Sequence, residues 1–365
     1  MSKHDEQFMR RALELAGRGE GHVEPNPMVG CVVVNDGQIV GEGWHRAFGG
    51  PHAEVEALRA AGSRAEGATL YVTLEPCCHE GKTPPCTAAI LSAGVRRVVV
   101  ALGDPFPQVD GGGLQQLRNA GVDIDVGLCE QEARELCAPY LMLVTAGRPW
   151  VIAKWAMTLD GKMSTRSGSS KWISGEASRE AVHELRGRVD AIIVGRGTAV
   201  ADDPMLTARP SGARTAARII VDSTAQLALD SQLVLTAGES QVIVACSDDA
   251  PPDATERLTA AAVEVLRCSG ATHDERLQSL LQELGRRRMT NVMVEGGSHL
   301  LGSLFDAQMI DEVDIFVAPK IVGGDGAPSP VAGRGIDKMA DALRLITPQI
   351  SQIGDDIRIR GRIGR

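Results

Sequence analysis

"TLYVTLEPCCHEGKTPPCTAAI", residues 69–90, reads as a short apolar strand, a cysteine-rich loop and the opening of a helix. The strand is rich in β-branched and aromatic residues, and Pro84-Pro85 punctuates the loop where the next helix begins. A strand that feeds a helix through a short loop is the unit of an α/β layer. This loop also gathers Cys77, Cys78, His79 and Cys86 at the strand's end, which is metal-site composition.

Upstream, "PHAEVEALRAAG" (51–62) places His52 and Glu54 two residues apart at the start of another helix. Alone the pair is weak, since acidic residues favour a helix's first turn in any case. Beside the cysteine loop it gains meaning. A hydrolytic zinc site takes three protein ligands and keeps a fourth position for water, and one histidine with two thiolates meets that need. The metal lowers the water's pKa, but a general base must still take the proton, and Glu54 is placed for it.

The zinc deaminase signature is H-x-E followed by P-C-x-x-C. Pro76-Cys77 matches its start, but the next cysteine after the adjacent Cys78 is Cys86. Either Cys77 and Cys86 bind the metal while residues 78–85 loop out, or Cys78 or His79 replaces one of them. Cys86 is preferred because it opens a helix, where backbone N–H groups and the dipole stabilise a thiolate. Two helix N-termini would then face one metal. A closed four-ligand structural site is the bland alternative, but it has no use for the general base at Glu54. His45, in "GWHRAFGG", is a substrate contact or a strand-end polar residue; His4, His22, His183, His273 and His299 read as surface or structural.

The chain's 365 residues favour two domains. No apolar run approaches the roughly 20 residues needed to cross a bilayer. The N-terminus has acidic residues and an amphipathic pattern where a secretion signal would be apolar, so a cytoplasmic protein is expected. Eight cysteines without an export signal fit reduced thiols, metal ligands or core filler. A net charge of −9 and 3% aromatic residues disfavour a nucleic-acid partner, which would require a basic surface and stacking rings. The basic tail "IRIRGRIGR" (357–365) alternates Ile and Arg, and reads as a last strand with one buried and one solvated face.

Strand and helix patterns alternate along both halves. In the first, a helix near 4–17 precedes a hairpin whose turn is Asn35-Asp36-Gly37, and a helix over about 130–144 leads to Gly147 and Pro149. The expected domains are 1–146 and 147–365. In the second, "WVIAKWAM", "DAIIVG", "ARIIVDS", "QVIVAC", "NVMVEGG" and "VDIFVAP" read as strands among helices. Gly296-Gly297 lies between a strand and a helix, where bare N–H groups can cradle a phosphate. Gly195-Arg196-Gly197 lacks the third glycine of a dinucleotide fingerprint, so a Rossmann reading is poor.

"PNPMVGCVVV", "GWHRAFGGPHAEVEAL", "YVTLEPCCHEGKTPPCTAAI" and "GVRRVVVALGDPFPQVDGGG" resemble the deaminase half of the bifunctional riboflavin-biosynthesis deaminase-reductase family. There the long spacing between the cysteines is usual. The resemblance implies a cytidine-deaminase-like three-layer domain with zinc on His52, Cys77 and Cys86, Glu54 as proton shuttle, and Asn26 holding the pyrimidine ring. "KWAMTLDGKMST", "SSKWISGEASREAVHELR", "DAIIVGRGTAVADDPMLTAR", "RIIVDS" and "VMVEGGSHL" resemble the same family's dihydrofolate-reductase-like α/β domain, which binds NADPH. Carried over residue by residue, Ala156, Trp172, Thr198, Asp202, Ser223, Gly296 and Gly297 would contact NADPH. Ser170, Arg186, Leu206, Arg209 and Glu295 would hold a pyrimidine ribosyl phosphate. Asp202 is the polar residue expected near hydride transfer. Gln226 and Ala228 depart from the Arg and Pro the family often shows. A homo-oligomer is expected from the family rather than from any residue pattern.

Three rival readings give different outcomes. A base-editing nucleic-acid deaminase would need a basic groove. A deaminase with a non-catalytic C-terminal half would never reduce its product. A purely structural zinc staple would be indifferent to the loss of Glu54.

Overall fold

The computed structural model describes residues 3–79 and 84–364, so residues 80–83 of the expected loop between Cys77 and Cys86 lie outside the described residues. The chain forms two compact units, Met1–Gly147 and Arg148–Arg365.

The first unit is a five-stranded sheet between two helical layers. Its strands are β1 (Gly30–Asn35), β2 (Gln38–Trp44), β3 (Thr69–Val72), β4 (Arg97–Val100) and β5 (Asp123–Val126), in the order β2-β1-β3-β4-β5. Its helices are α1 (Lys3–Gly17), α2 (Ala53–Ala61), α3 (Cys86–Ser92), α4 (Gly112–Asn119), α5 (Glu130–Leu136) and α6 (Ala138–Ala146). Asp36 and Gly37 both have positive φ, as a two-residue hairpin turn requires, and β1 and β2 pair antiparallel across them. β3, β4 and β5 run parallel.

Alternation along each strand divides the core in two. Cys31, Val33, Leu70 and Val72 face α2, α3 and α4, whereas Val32, Val34, Tyr71 and Val99 face α1 and α5. Gly41 and Gly43 let α2 lie against the backbone of β2: a Cβ at either would run into carbonyls of that helix. That close approach fixes where the N-terminus of α2 sits.

The helix expected over 130–144 is two helices. It breaks at Cys137, which ends α5 and caps α6. Pro139 explains the break, because its ring cannot pass the carbonyl one turn back inside a continuous helix.

The second unit has nine strands: β6 (Trp150–Thr158), β7 (Ala191–Gly195), β8 (Ala217–Val221), β9 (Val242–Ser247), β10 (Glu264–Cys268), β11 (Asn291–Glu295), β12 (Glu312–Ala318), β13 (Leu345–Ile353) and β14 (Asp356–Ile363). Their order is β10-β9-β8-β7-β11-β6-β12-β14-β13, the first seven parallel, with β14 antiparallel to both β12 and β13. Its helices are α7 (Glu176–Arg186), α8 (Arg196–Asp202), α9 (Gln232–Leu235), α10 (Pro252–Ala260), α11 (His273–Arg286) and α12 (Ser298–Asp306).

Leu185 of α7, Ala199 of α8, Leu233 of α9 and Leu258 of α10 pack one face of this sheet; Leu277, Leu281, Leu300 and Leu304 of α11 and α12 pack the other. The chain winds outward from β7 to β10 along the first face and returns to β11 along the second. Such a reversal opens a crevice at the carboxyl ends of the central strands, where open α/β sheets bind ligands.

The tail does form the expected strand, β14, but its arginines are ion-paired and only partly exposed. Arg358 chelates the buried Asp314 at 2.8 and 2.6 Å, and Arg360 reaches Glu312 at 2.5 Å. The acids on β12 turn that face into an ion-paired layer, while Ile357 on the opposite phase is exposed.

Candidate active site

Three elements of the first unit deliver the candidate ligands. His52 is the N-cap residue of α2, Cys77 follows β3, and Cys86 is the first residue of α3. One ligand atom from each lies within 4.8 Å of the others. His52 Nδ1 is 3.2 Å from Cys86 Sγ and 3.5 Å from Cys77 Sγ. Tetrahedral zinc with Zn–S near 2.3 Å and Zn–N near 2.0–2.1 Å needs N···S separations of about 3.5 Å, so the three atoms fit that metal. The N–H of Cys86 also points at Cys77 Sγ, at 3.4 Å.

The charges suit the same task. The Cys77 thiol is lowered to about 4, first by the Cys86 thiol donating to it and then by His52. Cys86 moves up as the donor of that bond. Thiols bind a metal as thiolates, so metal binding at this pair would release protons. Glu54 is 3% exposed, and burial raises its carboxyl above the ordinary range. Desolvation favours the protonated form of such a carboxyl, which eases both the uptake and the return of a proton.

Asn26 stands in the same region through a residue whose role the sequence leaves open. His45 Nδ1 is 3.0 Å from the Pro51 carbonyl, which can only accept, so that nitrogen carries the proton. Burial lowers the His45 pKa and favours the neutral ring, whose Nε2 then accepts from the Asn26 amide nitrogen at 3.2 Å. The bond turns the Asn26 Oδ1 away from His45. The GWH motif was the available signal, but it could not indicate the partner. His79, an alternative ligand by sequence, packs its ring against Phe106 instead.

In the second unit the structure brings some of the expected residues together, in three small groups. Glu295 ends β11, and its buried carboxylate accepts both Arg186 Nε (2.6 Å) and Nη2 (2.8 Å), while Lys154 Nζ lies at 3.0 Å. Burial pushes Glu295 upward, yet the two cations outweigh it and hold the carboxyl well below its ordinary range. One acid between two bases leaves a net positive charge there. No local pattern marks Lys154: a lysine inside "WVIAKWAM" looks like any solvated strand position.

Gly296 and Gly297 both have positive φ and lead into α12, and Thr198 of α8 closes over them, 3.1 Å from where a Cβ on Gly297 would stand. Bare backbone beside a helix N-terminus is a cradle suited to a cofactor phosphate. Asp202, the exposed last residue of α8, accepts from the Ser170 hydroxyl at 3.4 Å. Trp172 is 67% exposed with φ of +66°, and the Arg179 guanidinium stacks on it at 4.5 Å. Ala156 is half-buried on β6 opposite Phe316, Leu206 is buried with positive φ, and Arg209 is exposed. Ser223 follows β8, where its carbonyl accepts from Ser247. Arg186, expected as a phosphate ligand, has its fork filled by Glu295 and its Nη1 at 3.3 Å from the Thr207 carbonyl.

A metal-ligand triad with a buried acid, on one α/β unit, and a bare-backbone cradle at a strand-order reversal, on the other, fit an enzyme with a hydrolytic metal centre and a second, phosphate-binding site. Residues 2–102 match the family model of the cytidine and deoxycytidylate deaminase zinc-binding region, and residues 149–359 match that of the RibD C-terminal domain. The riboflavin biosynthesis protein RibD of Actinobacillus pleuropneumoniae is 42% identical, with 97% of this chain and 94% of that protein covered. RibD of Escherichia coli is 40% identical over 97% of this chain and 98% of its own length. The structure of Acinetobacter baumannii RibD superposes with a TM-score of 0.86 at 38% identity, covering 100% of this chain and 99% of that one. A Thermotoga maritima diaminohydroxyphosphoribosylaminopyrimidine deaminase/5-amino-6-(5-phosphoribosylamino)uracil reductase gives 0.83 at 36% identity, with 99% of both chains covered. The chain belongs to the RibD family of riboflavin biosynthesis proteins. It is accordingly a bifunctional enzyme acting on a small molecule, with a zinc-dependent deaminase domain and an NADPH-dependent reductase domain, and its second half is not merely a binding module. Among the described residues, no helix is long and apolar enough to cross a membrane.

Proposed function

We propose that the domain of residues 1–146 deaminates 2,5-diamino-6-(5-phosphoribosylamino)pyrimidin-4-one and that residues 147–365 then reduce the ribosyl of the product to a ribityl chain. The observation that carries the reading is the convergence of His52, Cys77 and Cys86 within 4.8 Å, with the buried Glu54 two residues from the histidine. When bound, zinc supplies a water of lowered pKa, and NADPH supplies a hydride.

The chain's own groups do the rest. His52, Cys77 and Cys86 hold the metal. Glu54 takes the proton from the attacking water and returns it to the departing amine, a shuttle that its raised pKa suits. Asn26, its amide nitrogen bound to His45, offers Oδ1 to a donor on the pyrimidine ring. In the second domain Ala156, Trp172, Thr198, Ser223, Gly296 and Gly297 line the cofactor side. Ser170, Leu206 and Arg209 hold the substrate together with the locked pair Arg186 and Glu295. The exposed Arg209 is a cation able to meet the phosphate, and Asp202 orients the ribosyl through the polar contact it shares with Ser170.

Eight thiols without a disulfide fit a cytoplasmic enzyme. The net charge of −9 fits a small-molecule rather than a nucleic-acid substrate. Edge strand β13 exposes Ile346 and Ile350, which fits assembly into a homo-oligomer, and light scattering reads that directly.

The test is complementation. Glu54→Gln should reduce but not deaminate, Asp202→Ala should deaminate but not reduce, and a mixture should convert the diamino substrate fully. Full reduction by Asp202→Ala would remove that residue from the reaction. Deamination by Glu54→Gln at the wild-type rate would remove the shuttle.

A further inference from the structure

Glu75, two residues before Cys77, is 5% exposed, and its carboxylate collects four backbone N–H groups. Oε1 accepts from Gly113 at 3.0 Å and Leu114 at 3.1 Å; Oε2 accepts from Gly111 at 3.2 Å and Asp104 at 3.4 Å. These donors belong to the turn that opens α4 and to the segment after β4. A carboxylate has about four lone-pair sites and no donor of its own, so it is the side chain able to satisfy four converging N–H groups at once.

The turn it gathers grips the peptide around Cys77. A Cβ on Gly113 would collide with the Pro76 carbonyl, and one on Gly112 would stand 3.0 Å from Cys78 Sγ, so the turn lies directly on residues 76–78. From the other side, the N–H of Thr87 in α3 donates to the Cys77 carbonyl at 3.2 Å, and the Thr87 hydroxyl donates to Gln116 of α4 at 2.7 Å. Cys77 is thus bracketed by α3 and by the α4 turn, and Glu75 is the anchor of the second bracket.

We propose that Glu75 is a positioning residue of the metal centre: its four-fold acceptance fixes the backbone from which Cys77 projects and so sets how tightly zinc is held. The inference rests on the reading of Cys77 as a ligand. Outer groups that orient metal ligands typically contribute about 10–100-fold in metal affinity. Glutamine has the same size, but its amide would aim two N–H groups at two of the backbone donors, breaking half of the clamp and opposing donors to donors.

The experiment measures the zinc dissociation constant of the full chain by competition with a chromophoric chelator, for wild type, Glu75→Gln, Cys77→Ser and Asp5→Asn. Asp5 accepts from Tyr71 at 2.7 Å and Arg97 at 2.8 Å, toward the opposite end of the same sheet, so its loss controls for general destabilisation. The expected result is zinc held about 10–100-fold more weakly by Glu75→Gln, with Asp5→Asn at the wild-type constant even though the melting temperature of its metal-free form falls. A Glu75→Gln constant within about twofold of wild type, with Cys77→Ser clearly weakened, would overturn the role of Glu75 and leave the ligand reading standing. Equal weakening in Asp5→Asn would overturn it too, as a mere stability effect. Cys77→Ser holding zinc as tightly as wild type would sink the ligand assignment and this inference together.

Discussion

The two units hold their sites in opposite ways. In the first, the candidate ligands and the acid come from residues 52–86, on two adjacent helix N-termini and the strand end between them. In the second, the site is spread from Lys154 to Gly297 over the ends of several parallel strands. A site concentrated on a few local turns depends on the chemistry of individual atoms. A spread site depends on charges meeting across long sequence separations, so losing one of them is felt first as lost fold.

The largest effect should appear where the first unit is most concentrated. Glu54→Gln is expected to slow deamination about 10³-fold, the scale of a lost general acid and base. Zinc content and reduction should stay at wild-type levels. Stopped-assay kinetics beside metal analysis check this, and a parallel loss of zinc would mean that Glu54 is a ligand.

Glu295→Ala should behave differently. It strands Arg186 and Lys154 as partly buried cations, and breaking a buried pair costs up to about 3–5 kcal/mol of stability. Denaturant unfolding should record that loss together with lost reduction; loss of reduction at unchanged stability would make Glu295 a purely local group like Glu54.

Arg209→Ala is the sharper probe of binding in the second unit. One charge-assisted bond to a phosphate contributes about 1.5–3 kcal/mol, so kcat/KM for reduction should fall between about tenfold and a hundredfold, mostly through KM. A kcat effect with KM unchanged would place Arg209 at the reacting atoms.

The smallest effect is electrostatic. Asp160 is held down to about 2, first by the Thr158 hydroxyl and then by the Gly323 and Val322 N–H groups. Its folded-state value lies below the ordinary 3.8, so its contribution is complete above that pH and fades as the pH falls through about 2. Asp160→Asn should lower the melting temperature at pH 6, and the difference from wild type should shrink toward pH 2. A difference that persists at pH 2 would assign it to packing.

The contrast also explains what the sequence could reveal. The strand, loop and helix around Cys77 and Cys86 are read from consecutive residues, and so is the hairpin at Asp36-Gly37, because local turn chemistry and ligand spacing are short-range. Pro139 carried a readable signal for the break between α5 and α6, although the apolar run around it suggests one helix. The bond between Arg186 and Glu295 spans 109 residues, and no local pattern announces it. Arg358 and Arg360 likewise have the alternation of a solvated strand face; that β12 brings Asp314 and Glu312 diagonally across from them follows from sheet order and register. In the second unit, the expected site residues therefore rest on the family resemblance rather than on sequence chemistry.

The most direct measurement of the central claim follows the mass of the diaminopyrimidinone ribosyl phosphate incubated with the purified, zinc-loaded chain, first without and then with NADPH. The expected result is exchange of an amine for oxygen without NADPH, and a further gain of two hydrogens only when it is added. Deamination with no reduction under any NADPH concentration would contradict the assignment of two coupled activities to the two units.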